Sequence, residues 1–288
     1  MMGKTGIKVG RLFVCGTPIG NLEDVSIRLL KTLRQVDMIA CEDTRHTLKL
    51  LNRFKIKNKL VSYHQYSDKS KEDYLLQELE NGKQIALVSD AGMPSISDPG
   101  QELVQRAITA GVAIEIIPGP SAVTTALAIS GLDSTNFIFA GFLPNRRNQR
   151  REVLKQMSNE NRTVIYYEAP HRLVDTLADV EEIMGGDRQI VVARELTKTY
   201  EEIIRDRVEI VRNHFSQHSP RGEICLLVAG QKEEINLCPD LDRIAEEVNE
   251  LIELGHTKKE AFKMKALEYH LSKSTLYIYY VEKFNNTQ

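Results

Sequence analysis

Charge of one sign is missing from the balance of this 288-residue chain: 38 Lys and Arg stand against 40 Asp and Glu, a formal net charge of -2. The chain as a whole therefore has no pull on a polyanion, and any basic surface must be local. Cysteine is scarce as well. The 4 cysteines, Cys15, Cys41, Cys225 and Cys238, form no Cys-x-x-Cys pair. The first three lie in or at the ends of apolar runs, so they read as buried thiols rather than metal ligands or bridges. Nowhere does an uncharged apolar run reach the roughly 18 residues that a membrane span needs, and Met1 to Gly6 lead into none, so a cytoplasmic location and no membrane partner are expected. What is present, 42% hydrophobic and 27% charged residues, is the composition of a globular chain, and the length suits two domains that each bury a core.

The densest run of special residues is Ser89-Asp90-Ala91-Gly92-Met93-Pro94-Ser95-Ile96-Ser97-Asp98-Pro99-Gly100. It follows the short apolar run Gln84 to Val88, which reads as a buried parallel strand, and precedes the helical spacing of Glu102 to Ile108. A long strand-to-helix loop of small, acidic and turn-forming residues builds a site, because parallel sheets bind ligands beyond the carboxyl ends of their strands. Asp98 reads equally as the N-cap of the following helix.

A first strand, Gly10 to Cys15, runs into Gly16-Thr17-Pro18-Ile19-Gly20-Asn21-Leu22, with a helix expected from Val25 to Leu33. This glycine loop is a poor dinucleotide fingerprint, since Pro18 removes a backbone N–H where a phosphate cradle needs one. A ligand without phosphate, held through carbonyls and shape, suits it better. A second strand, Val36 to Cys41, ends in Glu42-Asp43-Thr44-Arg45; its acids either accept ribose hydroxyls or merely cap the helix through Asp43 or Thr44, with Glu42 pairing Arg45. A weaker third strand spans Leu60 to Tyr66. Ala113 to Ile117 is another, closed by Pro118-Gly119-Pro120-Ser121-Ala122 before a helix from Val123 to Ile129. The alternation predicts a parallel sheet with helices on both faces, and three of its loops crowd one edge.

After a linker at Gly131 to Ser134 the second half opens with Asn136 to Pro144. Next comes a basic segment, Arg146, Arg147, Arg150 and Arg151, which either binds a polyanion or forms a solvated helix face. Strands are expected at Thr163 to Glu168, before Ala169-Pro170-His171-Arg172; at Ile190 to Arg194, before Glu195-Leu196-Thr197-Lys198; and at Gly222 to Gly230. From Leu241 the pattern is helical, with Lys258, Lys259, Lys263 and Lys265 on a second helix. The segment Ser272 to Tyr280 reads either as a recognition helix or as a tyrosine-rich packing element. The expected boundaries are 1–130 for an α/β domain with the cofactor loops, 131–235 for a second α/β domain, and 236–288 for a helical tail.

The seven motifs Gly16 to Leu22, Glu42 to Arg45, Ser89 to Gly100, Pro118 to Ala122, Gly141 to Pro144, Tyr167 to Arg172 and Arg194 to Lys198, in this order, resemble the tetrapyrrole methylase superfamily. Within it they resemble the small-subunit ribosomal RNA cytidine 2′-O-methyltransferase family. The resemblance covers roughly Arg11 to Gly230. It implies two α/β domains with open twisted sheets, S-adenosylmethionine in the cleft between them, a homodimer, and methylation of a cytidine ribose in the decoding region of 16S RNA, on free RNA or the 30S particle. It also implies a cofactor set of Thr17, Pro18, Gly20, Asp90, Gly92, Ser95, Pro120, Ser121, Ala122 and Leu196. Ser89 and Ala91 replace the glycine and proline of the superfamily's Gly-Asp-Pro loop, a change this ribosomal branch shares.

Methyl transfer from a sulfonium needs alignment more than a protein nucleophile, but a ribose hydroxyl must lose its proton. Glu42, Glu168, His171 and Glu195, at strand ends, are the candidate bases, and their order stays open. Arg45, Arg172, Arg194 and Lys198 are candidates to hold phosphate or to lower the hydroxyl's pKa, and the arginine segment and the tail lysines Lys258 and Lys259 are further candidates to hold RNA. Two rival readings are a methyltransferase for a corrin or porphyrin precursor, which needs no basic arm, and a non-catalytic RNA-binding assembly factor, which needs no cofactor loops.

Overall fold

A computed structural model describes residues 10–64, 69–231, 240–269 and 271–285. Cys238, the expected end of the third strand at Tyr66 and the expected boundary at 235/236 lie outside these residues. The chain divides into two compact units, 1–231 and 232–288.

The first unit opens with a five-stranded sheet: β1 (Arg11–Cys15), β2 (Met38–Cys41), β3 (Leu60–Ser62), β4 (Gln84–Val88) and β5 (Ala113–Ile117). Its order is β3-β2-β4-β1-β5, with every pairing parallel. Alternate residues of the apolar strands face opposite sides, so the sheet carries two cores. Phe13, Cys15, Ile39, Ala86 and Val88 pack on α1 (Ile27–Gln35) and α2 (Thr44–Arg53). Leu12, Val14, Met38, Ile85 and Leu87 pack on α3 (Lys69–Glu80) and α4 (Gln101–Thr109). Because β1 lies between β4 and β5, the loops that leave these three strands are neighbours, which is why the predicted loops meet.

The second sheet is built from β6 (Phe137–Phe142), β7 (Thr163–Glu168), β8 (Gln189–Arg194), β9 (Glu202–Arg207) and β10 (Ile224–Val228), in the order β6-β7-β10-β8-β9. It is mixed: β6 and β7 are parallel, whereas β10 runs antiparallel to both β7 and β8. β9 carries no clear sequence signal, because its charged residues hide its alternation, and the direction of β10 has none either. The amino end of β10 lies at the cleft, beside the carboxyl ends of β7 and β8. One face is covered by α6 (Arg147–Gln156), α7 (Leu173–Met184) and α8 (Val208–Gln217). On the other face Ile165, Val191, Cys225 and Leu227 pack on Val123, Ala126 and Leu127 of α5 (Ala122–Ser130). The helix that closes the first α/β half thus sits in the core of the second.

Described by itself, the 232–288 unit holds α9 (Leu241–Glu253), α10 (Lys258–Glu268) and α11 (Lys273–Asn285) around Ile244, Val248, Phe262 and Leu276. Thr257 and Glu260 form a capping box at the start of α10, which satisfies two otherwise orphaned N–H groups. Phe262 meets the ring of Tyr280 at 5.1 Å and that of Tyr277 at 5.4 Å, so tyrosines of the last segment do pack. Among the described residues no helix is long and apolar enough to cross a membrane.

Candidate active site

The site begins with backbone. Thr17 N–H donates to the Gly92 carbonyl at 2.8 Å, and Gly92 N–H donates back at 3.2 Å. The Thr17 hydroxyl donates to the Ser89 carbonyl at 3.2 Å. A Cβ on Gly16 would lie 2.7 Å from Gly119 N and 2.6 Å from Met93 Sδ, so these loops are in contact through positions where only hydrogen fits. The long loop also holds Ser95 at φ 70° and Ser97 at φ 60°. Such left-handed backbone costs free energy at a non-glycine residue and gathers at functional sites.

Across from these loops Asn21 N–H donates to Thr197 Oγ1 at 2.9 Å, which ties the first loop to the turn after β8. The space so enclosed is a cavity of ≈ 290 Å³, near the lower end for a small-molecule site, about 300–1000 Å³. Ile19, Leu196, Ala193 and Cys225 give it an apolar wall; Gly92, Ser97, Asp98, Ser121 and Glu223 give it a polar one; Phe142, Tyr167 and Pro170 stand at the second sheet. The α5 N-terminus enters here through Ser121 and Ala122, and no side chain caps it. Its free N–H groups leave the cavity able to bind an anionic group.

Of the ten expected cofactor residues, Gly92, Ser121, Ala122 and Leu196 line this cavity. Thr17 and Pro18 are buried behind it, Thr17 as a clamp between loops. Gly20 presses on the 196–198 turn, since a Cβ would lie 2.5 Å from Lys198 Cγ. Asp90 accepts from Asp43 N–H at 3.1 Å, and so joins the ends of β4 and β2. Pro120 lines a separate, shallower depression. Ser95 keeps its hydroxyl buried without a hydrogen-bond partner among the described residues.

The four expected bases do not share one position. Glu168 is buried and engaged three times: it accepts from Ala169 N–H at 2.7 Å and Thr176 Oγ1 at 2.6 Å, and Arg172 Nε lies 3.3 Å away. Glu195, at φ 52°, accepts from Lys198 Nζ at 2.9 Å and Glu223 N–H at 3.1 Å; burial opposes its ionisation, but these donors outweigh it and hold the carboxyl below its usual range. His171, three residues from Glu168, lines a different depression with Arg221. Glu42 is half-buried, its pKa raised by burial and by Asp90, with His64 opposing.

Three acidic residues line the cavity, Glu168, Glu223 and Asp98; Glu168 is tied by its three partners and Glu223 by Lys198, which leaves Asp98 as the one in no ion pair among the described residues. It is not the helix N-cap, a position held by Gly100 without any side-chain bond. Burial and the neighbouring Glu42 push Asp98 up to about 6, against a hydrogen bond with Ser89. The sequence offered a signal for it, an aspartate inside the site-building loop, but the Asp-Pro-Gly context read equally as a cap.

The basic residues sort by partner. Arg147, Arg150 and Arg151 all turn to the fully buried Asp179, at 3.0, 2.6 and 3.1 Å. Arg150 is itself 4% exposed, so it presents no guanidinium to a phosphate, and Arg151 is further held by Glu182 at 2.5 Å. Arg150 and Arg151 thus belong to the ion-pair seam between α6 and α7, whereas Arg147 stays 65% exposed beside its carboxylate. Arg172 bonds Asn145 and the Leu143 and Pro144 carbonyls, Arg194 pairs with Glu202 at 2.5 Å, and Lys198 bridges Glu195 and Glu223. Arg45 closes on its own helix cap Asp43 at 2.7 Å while staying 88% exposed, so Glu42 is not its partner. Lys265 pairs with Glu247 and Glu268. Arg146, Arg221, Lys258, Lys259 and Lys263 are exposed.

The class of the protein follows from its likeness to known proteins, with which the fold agrees. Residues 11–211 match the family of tetrapyrrole (corrin/porphyrin) methylases. A structure of uroporphyrin-III C-methyl transferase from Thermus thermophilus, complexed with S-adenyl homocysteine, covers 76% of this chain and 97% of its own at a TM-score of 0.56 and 16% identity, a likeness of fold. Nearer in sequence, the ribosomal RNA small subunit methyltransferase I of Thermotoga maritima is 48% identical over 78% of this chain and 100% of that protein. That of Halalkalibacterium halodurans is 45% identical over 95% and 96%. The chain belongs to the tetrapyrrole methylase superfamily and, within it, to the ribosomal RNA small subunit methyltransferase I family.

Proposed function

We propose that the chain is a ribosomal RNA methyltransferase that methylates the 2′-hydroxyl of a cytidine in the decoding region of the small-subunit RNA, with S-adenosylmethionine as cofactor. The observation that carries the RNA reading is the 45% identity to a ribosomal RNA small subunit methyltransferase over 95% of the chain. The same likeness disfavours a corrin or porphyrin acceptor, and a formed cavity disfavours a non-catalytic assembly factor. The ribose hydroxyl, the cytidine and the decoding region rest on the motif set. The chain acts on the RNA or the assembled 30S particle as a homodimer.

The cavity suits the cofactor because it combines an apolar wall with glycine backbone and uncapped N–H groups, and no Lys, Arg or His among the described residues lines it to repel a sulfonium. Gly92, Ser121, Ala122, Ile19 and Leu196 would hold it; when bound, it supplies an electrophilic methyl group. Asp98 is the base in this reading. It lines the cavity, has no ion pair among the described residues, and its pKa of about 6 lets it be ionised yet proton-accepting near neutrality. Glu42 tunes it by charge. Glu168 positions the Pro170–Arg172 turn, and Glu195 with Lys198 positions the 195–198 turn. Arg45, Arg146, Lys258 and Lys259 remain the phosphate contacts, joined by Arg221 and His171 beside the cavity. Mapping ribose methylation on small-subunit RNA from cells with and without the protein tests the assignment. Loss of one 2′-O-methylcytidine is expected, and an unchanged map would refute it.

A further inference from the structure

The strand β6 contains an irregularity that the chemistry so far does not use. Phe139 pairs with Ile165 of β7, yet the next pair is Phe142 with Tyr167. Three steps on one strand match two on the other, so β6 carries one extra residue. A regular ladder would set Gly141 opposite Tyr167 and put no side chain there. The bulge replaces it with Phe142, and Gly141 at φ 64° supplies the left-handed backbone that a bulge favours.

The result is an aromatic wall on the cavity side. Phe139 meets the Tyr167 ring edge-on at 4.9 Å, and Phe142 is tilted against it at 5.4 Å. Phe142 and Tyr167 line the same cavity as Asp98. Phe142 is nevertheless 57% exposed. Folding stability alone gives no reason to disturb a ladder and leave a phenyl ring in water, where burial would have been favourable. A bulge that re-aims an exposed ring over a cavity serves a ligand with a flat face.

We propose that Phe142, backed by Tyr167, is the stacking platform for the unpaired base of the acceptor nucleotide. Resting on the reading that the acceptor is a nucleotide of ribosomal RNA, the assignment adds that this nucleotide is taken out of its neighbours' stack. Sequence-specific RNA recognition works through such splayed bases laid on aromatic rings, and an enzyme acting on one nucleotide gains access to it in the same way. With its base on Phe142, the nucleotide's ribose has Asp98 within the same cavity. Phe142 is a binding residue in this scheme, and its ring face matters as well as its apolar area.

The test compares Phe142→Ala, Phe142→Leu and Phe142→Trp on small ribosomal subunits purified from cells lacking this protein. Losing one base–aromatic stack should lower kcat/KM by roughly 5- to 150-fold in the Ala and Leu variants, while Trp keeps it within about threefold of wild type. S-adenosylmethionine affinity, by calorimetry on the protein alone, and melting temperature should match wild type in all three. Full activity in the Leu or Ala variant overturns the platform, and so does a parallel loss of cofactor affinity, which would make Phe142 a cofactor wall. Should wild-type protein transfer no methyl to these subunits, the ribosomal reading itself falls and the platform with it. Active wild type with an unimpaired Leu variant removes the platform alone.

Discussion

Replacing Asp98 with asparagine should damage activity and improve stability together. Asp98 is driven from 3.8 to about 6 by burial and by Glu42, so the folded chain holds its proton more tightly than the unfolded chain does. The stabilising effect of that proton is fully present below the unfolded value and is lost as pH rises through about 6; above it, the folded state carries an unfavourable carboxylate. Two pK units are worth up to about 3 kcal/mol. Asp98 is only partly buried, so solvent screening reduces this to about 1–2 kcal/mol. Asparagine keeps the size and the hydrogen bond to Ser89 without the charge. In urea unfolding near pH 8, Asp98→Asn should gain about 1–2 kcal/mol, and near pH 4 the gain should vanish. Single-turnover methyl transfer, with cofactor saturating, should fall by roughly 10²–10⁴-fold. The wild-type rate should rise with pH through about 6 as the base ionises. A variant that is less stable at pH 8 but retains its rate would refute the base assignment and return Asp98 to a structural role.

Asp179→Ala should cost roughly 3–5 kcal/mol in unfolding experiments, because it strands the buried Arg150 without a counter-charge; RNA affinity per folded molecule should hold, and a selective RNA defect would revive the basic arm. Gly16→Ala forces a Cβ to within 2.7 Å of Gly119 N, so calorimetry should find S-adenosylmethionine binding weakened more than tenfold, and unaltered binding would mean the loops are not clamped as described. Neutralising Lys258, Lys259 and Lys263 should flatten the slope of log RNA affinity against log salt by about 0.7–0.9 per contacting lysine, with cofactor affinity unchanged. The same slope after Arg151→Gln should stay at its wild-type value, since Arg151 is held by Asp179 and Glu182.

The loops that build the cavity were legible in the residues, because turn chemistry is local. Pro118-Gly119-Pro120 and the run from Ser89 to Gly100 announce loops, and apolar strands of three to five residues announce a parallel sheet. What was not legible depends on partners distant in sequence. Arg150 looks like any surface arginine until Asp179, 29 residues on, closes over it. Glu168 and His171 look paired by spacing, yet the turn between them sends one into the interior and the other to a neighbouring depression. The antiparallel course of β10, which brings Glu223 and Ile224 to the cleft, carries no local signal, because a fully buried apolar strand reads the same in either direction. Asp98 was not among the candidate bases for a different reason: its Asp-Pro-Gly context reads as a helix cap, and only the structure, with Gly100 at the N-cap, removes that reading.

Methylation of the small-subunit RNA can be read directly by giving the purified chain S-adenosylmethionine with an isotopically labelled methyl group and small ribosomal subunits from cells that lack the protein. The RNA is then digested to nucleosides and the label located by mass spectrometry. Label is expected in 2′-O-methylcytidine alone, at one position of the small-subunit RNA. Label on a nucleobase, on another ribose, or none in the RNA would contradict it.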